Sequence, residues 1–140
     1  QCTKCNSVGF WVGLRSLCAS QVVEFTGAMF SQSSILAPTI RINYDIGFKS
    51  NIISGKNITI RPVKDRIEKD NIVTKIVSLF ARGKYREYFS KGQAYIHNIQ
   101  GEDVYLENCV VETLIAERVF VYGNCEIKQC NAQSIIRMEQ

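Results

Sequence analysis

The side chains of this 140-residue sequence that could do chemistry are six cysteines and one histidine. Cys2 and Cys5 form a CxxC pair, which is the spacing of half a tetrahedral zinc site. A closed structural site needs four ligands, yet Cys18 is the one further cysteine nearby, and His97 is far along the chain. We therefore predict no metal, and we interpret the CxxC as part of a capping segment at residues 1–19.

Nucleophilic catalysis makes demands that the sequence does not meet. A reactive cysteine needs a depressed pKa and an oriented base beside it, and no cysteine here has neighbours of that kind. His97 could act as a general base, but no partner carboxylate can be placed against it. We therefore predict no catalytic residue and no cofactor.

The even number of cysteines leaves two interpretations of their redox state open. Three disulfides in a secreted protein would use all six cysteines. Alternatively, all are reduced thiols in an intracellular protein, and some of them pack as small hydrophobic side chains. The second interpretation is favoured because the later cysteines, Cys109 and Cys125, fit a repeat in the second half of the chain.

Composition and charge argue against several classes of function. Apolar residues make up 46% of the chain and charged residues 21%, a balance typical of a folded domain. The net charge of +4 comes from scattered basic residues rather than from a basic patch with interleaved aromatics, so no nucleic-acid partner is predicted. No stretch approaches the roughly 18 apolar residues of a membrane span, so none is predicted.

Aliphatic residues recur every six positions in long runs, a period that belongs to neither an α-helix nor an ordinary strand. This period is typical of a hexapeptide β-helix, in which three hexads form a triangular coil of about 18 residues. Successive coils stack about 4.8 Å apart, so that like residues form buried columns. The predicted core column is Ile40, Ile46, Ile52, Ile58, Cys109, Ile115, Val121 and Ile127.

The fold predicted from this pattern is an all-β solenoid, a left-handed parallel β-helix over residues 20–140 that follows the capping segment 1–19. Between the two isoleucine-rich runs, apolar residues recur at helical spacing from Ile72 to Phe80, and Gly83 is a plausible helix stop. We therefore predict one helix-containing insertion at about residues 62–92.

Short motifs follow one another along the chain in a particular order. ASQ precedes the first hexads at residues 19–21, IRP closes the first block at 60–62, and FSKG lies at 89–92. GEDVYLENCVV follows at 101–111, and the last hexads come after it. This order resembles the left-handed β-helix subunits at the pointed end of dynactin, over roughly residues 19–135.

The resemblance implies a non-catalytic subunit of the dynactin pointed-end complex, which supports dynein-dependent cargo transport along microtubules. It implies a sister β-helix subunit and an actin-related protein as partners, dynein cargo adaptors as further partners, and a cytoplasmic, cytoskeletal location. Ala116, Tyr122 and Lys128 depart from the glycine that the family usually has at the second hexad position. Two alternatives stay open: a hexapeptide-repeat acyltransferase-like enzyme, and a self-polymerising β-helix of the bactofilin kind.

Five residues are predicted to contact a partner. Ile135, Ile136 and Met138 belong to the last coil, which has little of its own chain to pack against. Phe89 and Lys91 belong to the FSKG motif that carries part of the resemblance. An end coil of a solenoid also presents unpaired strand edges, which must be capped or docked onto another protein.

Overall fold

The structure is a computed structural model, and it describes residues 2–12, 16–30, 34–63 and 93–138. In these residues the regular structure is entirely β, and every strand pairing is parallel. The strands are β1 (Cys2–Val12), β2 (Ser16–Phe30), β3 (Ser34–Leu36), β4 (Thr39–Ser54), β5 (Asn57–Pro62), β6 (Ala94–Gln100), β7 (Asp103–Glu107), β8 (Cys109–Tyr122) and β9 (Glu126–Met138). The predicted all-β solenoid is confirmed. No helix in the described ranges is long and apolar enough to cross a membrane.

The pairings form three ladders, so each coil of the chain has three sides. Face A contains residues 4–8, 22–27, 39–44, 57–62, 103–107, 118–122 and 134–138. Face B contains residues 11–12, 29–30, 48–50, 94–96, 109–111 and 126–127. Face C contains residues 16–18, 34–36, 52–54, 98–100, 113–115 and 129–131. The inward side chains of all three faces share one interior.

The ladders continue in phase across the longest gap in the described chain. The chain leaves face A at Val63 and is described again from Gln93. Strand β6 then pairs directly with β4, and Ile53 lies opposite Ile99. The predicted helical insertion at 62–92 lies almost wholly outside the described residues.

The interior is a continuous stack of aliphatic and aromatic side chains. The largest of those that are fully buried are Tyr44, Phe25, Phe48, Met29, Ile35, Ile40, Ile42, Ile53, Ile58, Ile60 and Ile96. Burying one such side chain contributes about 1.5–3 kcal/mol. Since no coil can bury these groups alone, each coil depends on its neighbours for its stability.

The length of a coil differs between the two halves of the solenoid. Ile40 lies opposite Ile58, which is 18 residues later, as three hexads predict. In the second half, Val104 lies opposite Val119, 15 residues later, and Val119 lies opposite Ile135, 16 residues later. Three strict six-residue repeats are therefore longer than one coil in the second half of the solenoid.

The predicted core column is divided in the structure. Ile40, Ile58, Cys109 and Val121 are buried, as predicted. Ile127 is partly buried against the same core. The side chain of Ile46 is outside the described part of the structure.

The prediction is wrong for two isoleucines, Ile52 and Ile115, which are 36% and 45% exposed. Side chains alternate between the two sides of a strand. On face C the inward positions are taken by Ile53 and Leu114, so their chain neighbours Ile52 and Ile115 point outward. The residues predicted to form a single column therefore belong to several different columns in the structure.

The corner between faces C and A is closed by small residues, because neighbouring coils approach there backbone to backbone. The residues at this corner are Ala37, Gly55, Gly101, Ala116 and Ala132. A Cβ atom added at Gly55 would collide with the carbonyl oxygen of Ala37. The next residue, Lys56, uses its carbonyl oxygen to accept two backbone hydrogen bonds from the following coil, each 3.0 Å long, from Glu102 and Asp103.

Tyr44 links two coils of the solenoid near the corner between faces A and B. Its ring is buried, and its hydroxyl lies 2.8 Å from the carbonyl oxygen of Asn108 and 3.1 Å from that of Glu107. These carbonyls belong to a coil two turns further along, since β5 lies between β4 and β7 on face A. The backbone N–H of Val63 donates to the Tyr44 carbonyl at 2.9 Å. Tyr44 therefore links two coils that are not neighbours on face A.

Two adjacent isoleucines provide a matched test of the inward and outward positions on face C. Ile53→Ala should destabilise the chain by about 2–5 kcal/mol, since it opens a cavity in the interior. Ile52→Ala should cost about 1 kcal/mol or less, because this side chain is already partly in water. Urea unfolding of both variants measures the difference, and equal losses would contradict the assigned register.

The hydroxyl of Tyr44 can be tested separately from its ring. Tyr44→Phe should lower the free energy of unfolding by about 1 kcal/mol, because a buried hydrogen bond is lost. Tyr105→Phe is the control: the Tyr105 hydroxyl bonds to the Glu107 side chain at 3.3 Å in a partly exposed place, and its loss should be close to neutral. Urea unfolding measures both, and a neutral Tyr44→Phe would mean that the hydroxyl does not hold the corner.

Candidate interaction surface

The residues that could have formed a metal or catalytic site lie on different faces of the described solenoid. Cys5 occupies an inward column of face A, one coil before Val23, and packs against the core. Cys18 is exposed on face C, and His97 is exposed between faces B and C. Among the described residues, no three side chains of His, Cys, Asp and Glu are grouped to hold a metal ion. No metal, no cofactor and no catalysis remain predictions.

Two cysteines meet inside the solenoid near the corner between faces A and B. The Sγ atom of buried Cys109 lies 3.3 Å from the carbonyl oxygen of Glu107. The Sγ atom of Cys125, one coil later, accepts the backbone N–H of Cys109 at 3.4 Å. Burial raises the pKa of the Cys109 thiol well above its usual value, and the neighbouring Cys125 raises it further. Both thiols are free, and a protonated, buried thiol is suited to packing rather than to nucleophilic attack.

The last described coil, formed by β9, has a neighbouring coil on one side only. It pairs with β8 on all three faces, and within the described residues no strand lies against its other edge. The 13 residues of β9 therefore present a row of backbone N–H and C=O groups. Such groups must be satisfied by water or by another strand.

Several side chains of β9 continue the interior columns. No further coil of the described chain covers them. Val104, Val119 and Ile135 follow one another in a single inward column. The first two are fully buried, whereas Ile135 is 50% exposed. Ile127 and Cys130 extend two further inward columns in the same way. Within the described residues, side chains in the inward columns of β9 are therefore exposed or partly exposed.

The outward side chains of face A change character along the solenoid. In the early coils they are polar: Arg41 pairs with Glu24 at 3.2 Å, and Arg61 donates to the Asn43 side chain at 3.2 Å. In the last three coils the same two outward columns become largely apolar. The aromatic patch, as we define it, consists of Tyr105, Phe120, Tyr122, Ile136 and Met138.

The aromatic patch is accessible, and two of its rings stack on each other. Ile136 and Met138 are 44% and 42% exposed, and the three aromatic residues are partly exposed. The rings of Tyr105 and Tyr122 are stacked, with centroids 6.3 Å apart and planes inclined by 28°. Burial and the negative charge of Glu107 raise the pKa of Tyr105, so its hydroxyl stays protonated and donates to that carboxylate. Aromatic rings with a polar tip are enriched in protein interfaces.

Charge borders the patch on one side, in the remaining outward column of face A. Arg118 pairs with Asp103 through two contacts, 2.6 Å from Nε to Oδ1 and 2.9 Å from Nη2 to Oδ2. The guanidinium is largely exposed, so this ion pair contributes little to stability. An apolar centre with a charged rim is the usual arrangement of a protein interface.

The sequence analysis predicted part of this surface. It singled out Ile135, Ile136 and Met138, and all three are exposed on β9. Phe89 and Lys91 lie outside the described residues. It missed the aromatic members of the patch, although the alternation of aliphatic residues with aromatic or acidic ones in VYLE at 104–107 and VFVY at 119–122 could have indicated them. In both segments the first and third residues point inward and the second and fourth outward.

In comparisons with protein-family models, with curated proteins and with solved structures, no match to this chain was found.

Alkylation can test where the cysteines lie. Iodoacetamide should label Cys18 and Cys130 in the native chain, because both are exposed. Cys109 should remain unlabelled, since it is buried and its raised pKa keeps it a thiol. Peptide mass spectrometry after timed alkylation measures each site, and urea should make Cys109 react. Native labelling of Cys109 as fast as that of Cys18 would contradict its interior position.

Proposed function

We propose that this chain is a non-catalytic structural subunit of a protein assembly, and that the coil formed by β9 docks against another β-solenoid. One observation carries the proposal: β9 is bonded on one side only among the described residues, and its interior column ends in a half-exposed Ile135. Exposed apolar side chains beside an unpaired strand edge favour association with another protein.

The shape of the exposed end favours a solenoid as the partner. The open edge of β9 runs around three sides rather than along one straight line. A single straight strand could pair with one side and would leave the hydrogen-bonding groups of the other two unpaired. A coil with the same three-sided cross-section pairs with all three sides and also covers the exposed interior columns.

The order of the sequence motifs suggests a specific form of this function. In that form the chain is a pointed-end subunit of dynactin, most similar to dynactin subunit 5, with left-handed winding and a helical insertion. Its partners would be a sister β-helix subunit, an actin-related protein and dynein cargo adaptors, in the cytoplasm and on the cytoskeleton. The support for this form is the resemblance alone, and the comparisons with known proteins add none.

A second candidate function, self-polymerisation of the bactofilin kind, is favoured by one observation. Within the described residues β1 pairs with β2 alone, so it also has an open edge. A contact of β9 with β1 of a second copy would join different surfaces on the two molecules. Such heterologous contacts build open filaments when they do not close into a ring.

Affinity capture of the tagged chain, with mass spectrometry of the proteins that remain bound, tests the proposal. Ile135→Asp should weaken the captured complex at least about tenfold, because it places a charge in the interior column of the docked end. Ile115→Asp is the matched control: Ile115 is similarly exposed but lies on face C of β8, so binding should persist.

Two results separate the forms of this function. Recovery of an actin-related protein and a second β-helix subunit would support the dynactin form, whereas recovery of this chain alone would support the polymer. A wild-type chain that sediments as a monomer across micromolar concentrations and captures nothing would contradict both.

A further inference from the structure

Face C differs from face A in the side chains that it turns outward. Its two outward columns run along the solenoid from Ser34 to Gln129 and from Leu36 to Asn131, and no described side chain in them is charged. The outward side of face A, by contrast, carries two ion pairs. Covering a charge costs hydration, so an uncharged face is the one that another protein can cover with the least loss.

Three large aliphatic side chains of this uncharged strip are open to solvent. Leu36, Ile52 and Ile115 are 43%, 36% and 45% exposed. Charge lies along both long edges of the strip, in the ion pair of Lys56 at the corner with face A and in that of Lys128 at the corner with face B. An uncharged, partly apolar centre with charged edges is the composition of a protein interface.

Each coil of the strip presents one of two combinations of outward side chains. Three coils combine a large aliphatic residue with a small hydroxyl residue: Ser34 with Leu36, Ile52 with Ser54, and Thr113 with Ile115. The other two coils present two amides: Asn98 with Gln100, and Gln129 with Asn131. The partner surface must match this pattern.

A second copy of the chain matches it. When the two copies are related by a two-fold axis parallel to the solenoid axis, each copy presents the two columns to the other in exchanged order. Every aliphatic side chain then faces the small hydroxyl residue of the same coil in the other copy, and every amide faces an amide. Large and small side chains across an interface interdigitate, and a carboxamide both donates and accepts hydrogen bonds. The coil spacing of about 4.8 Å is the same in both copies, so the match persists along the strip.

The amide coil in the middle of the strip contains an unsatisfied polar atom. The side-chain oxygen of Asn98 is buried and has no hydrogen-bond partner among the described residues. Buried polar groups in folded proteins are normally paired. In the two-fold arrangement Gln100 of the second copy lies opposite Asn98, and its NH₂ group supplies a donor once the Asn98 side chain turns toward it.

We propose that the outer surface of face C is a homodimerisation surface, on which the strip packs against the same strip of a second copy. Identical sheet faces pack in this way in steric zippers. The strip is about 24 Å long and 10 Å wide, which is smaller than the roughly 800 Å² per partner of a standard interface. We therefore expect a weak dimer that forms at high micromolar concentration. The inference makes no use of β9 docking and goes beyond it.

The size of residue 54 tests the match between facing side chains. Ser54→Ile fills the small position that faces Ile52 of the second copy, so it should weaken dimerisation at least about tenfold, although it adds apolar surface. Thr39→Ile is the matched control on the outward side of face A and should leave dimerisation unchanged. Sedimentation equilibrium measures association. Tighter association of Ser54→Ile would show non-specific contact and would overturn the proposal.

Exchanging the two side chains separates the match from the size of one residue. Ile52→Ser combined with Ser54→Ile again gives this coil one large and one small outward residue, in the opposite order. The double variant should therefore dimerise within about threefold of the wild type, whereas each single variant is weaker. Circular dichroism checks that all three are folded. A double variant as weak as the sum of its single changes would contradict the facing arrangement.

Charge and salt provide a test that does not depend on residue size. Ile115→Asp should weaken the dimer at least about tenfold, and Ile136→Asp, which is equally exposed but on face A, should not. Added salt should not weaken the wild-type dimer, because the strip is uncharged and salt screens the net charge of +4 on each copy. Equal effects of the two aspartate variants, or a dimer that salt dissociates, would overturn the proposal and leave the docking of β9, which Ile135→Asp tests, untouched.

Discussion

Parallel stacking of one coil on the next, in register, is the constraint on which the rest of this molecule depends. An interior side chain such as Ile58 is buried only because Ile40 and Val104 lie above and below it in the same column. The backbone ladders fix the coil spacing, and the interior columns fix the register. A coil can change length, as between the halves of this solenoid, provided that the change is absorbed at a corner and the columns stay aligned.

The corners show how this is achieved. Between faces C and A, small residues let neighbouring coils approach, and a side chain at Gly55 would collide with the Ala37 carbonyl. Between faces A and B, Asn108 has a positive φ of 53° and accepts the backbone N–H of Asn124 on its side-chain oxygen at 2.8 Å. Near the same corner, the hydroxyl of Tyr44 bonds to carbonyls of a coil two turns further along. Variation in sequence length is thus confined to corners, while the faces keep a fixed pattern.

This division explains what the sequence could and could not predict. The solenoid was predictable because one coil of three hexads, from Ile40 to Ile58, repeats with the expected length. The exposure of Ile52 and Ile115 was not predictable, because the pairing of face C with neighbouring coils decides which of two adjacent apolar residues points inward. The exposed end was predictable from Ile135, whereas the aromatic patch requires knowing that residues such as Tyr105 and Phe120 share an outward column.

Strand β9 and the aromatic patch are parts of one surface, since Ile136 and Met138 belong to both. A stable interface buries about 800 Å² on each partner, and the edge of one coil with a few interior side chains offers a narrow contact. A partner that also extended along face A would cover Phe120 and the stacked tyrosines, which adds apolar area. The polar outward columns of the early coils would end such a contact, because covering the Arg41–Glu24 pair would remove two charges from water. The distribution of side chains on face A therefore favours a partner that overlaps the last coils and leaves the first ones free.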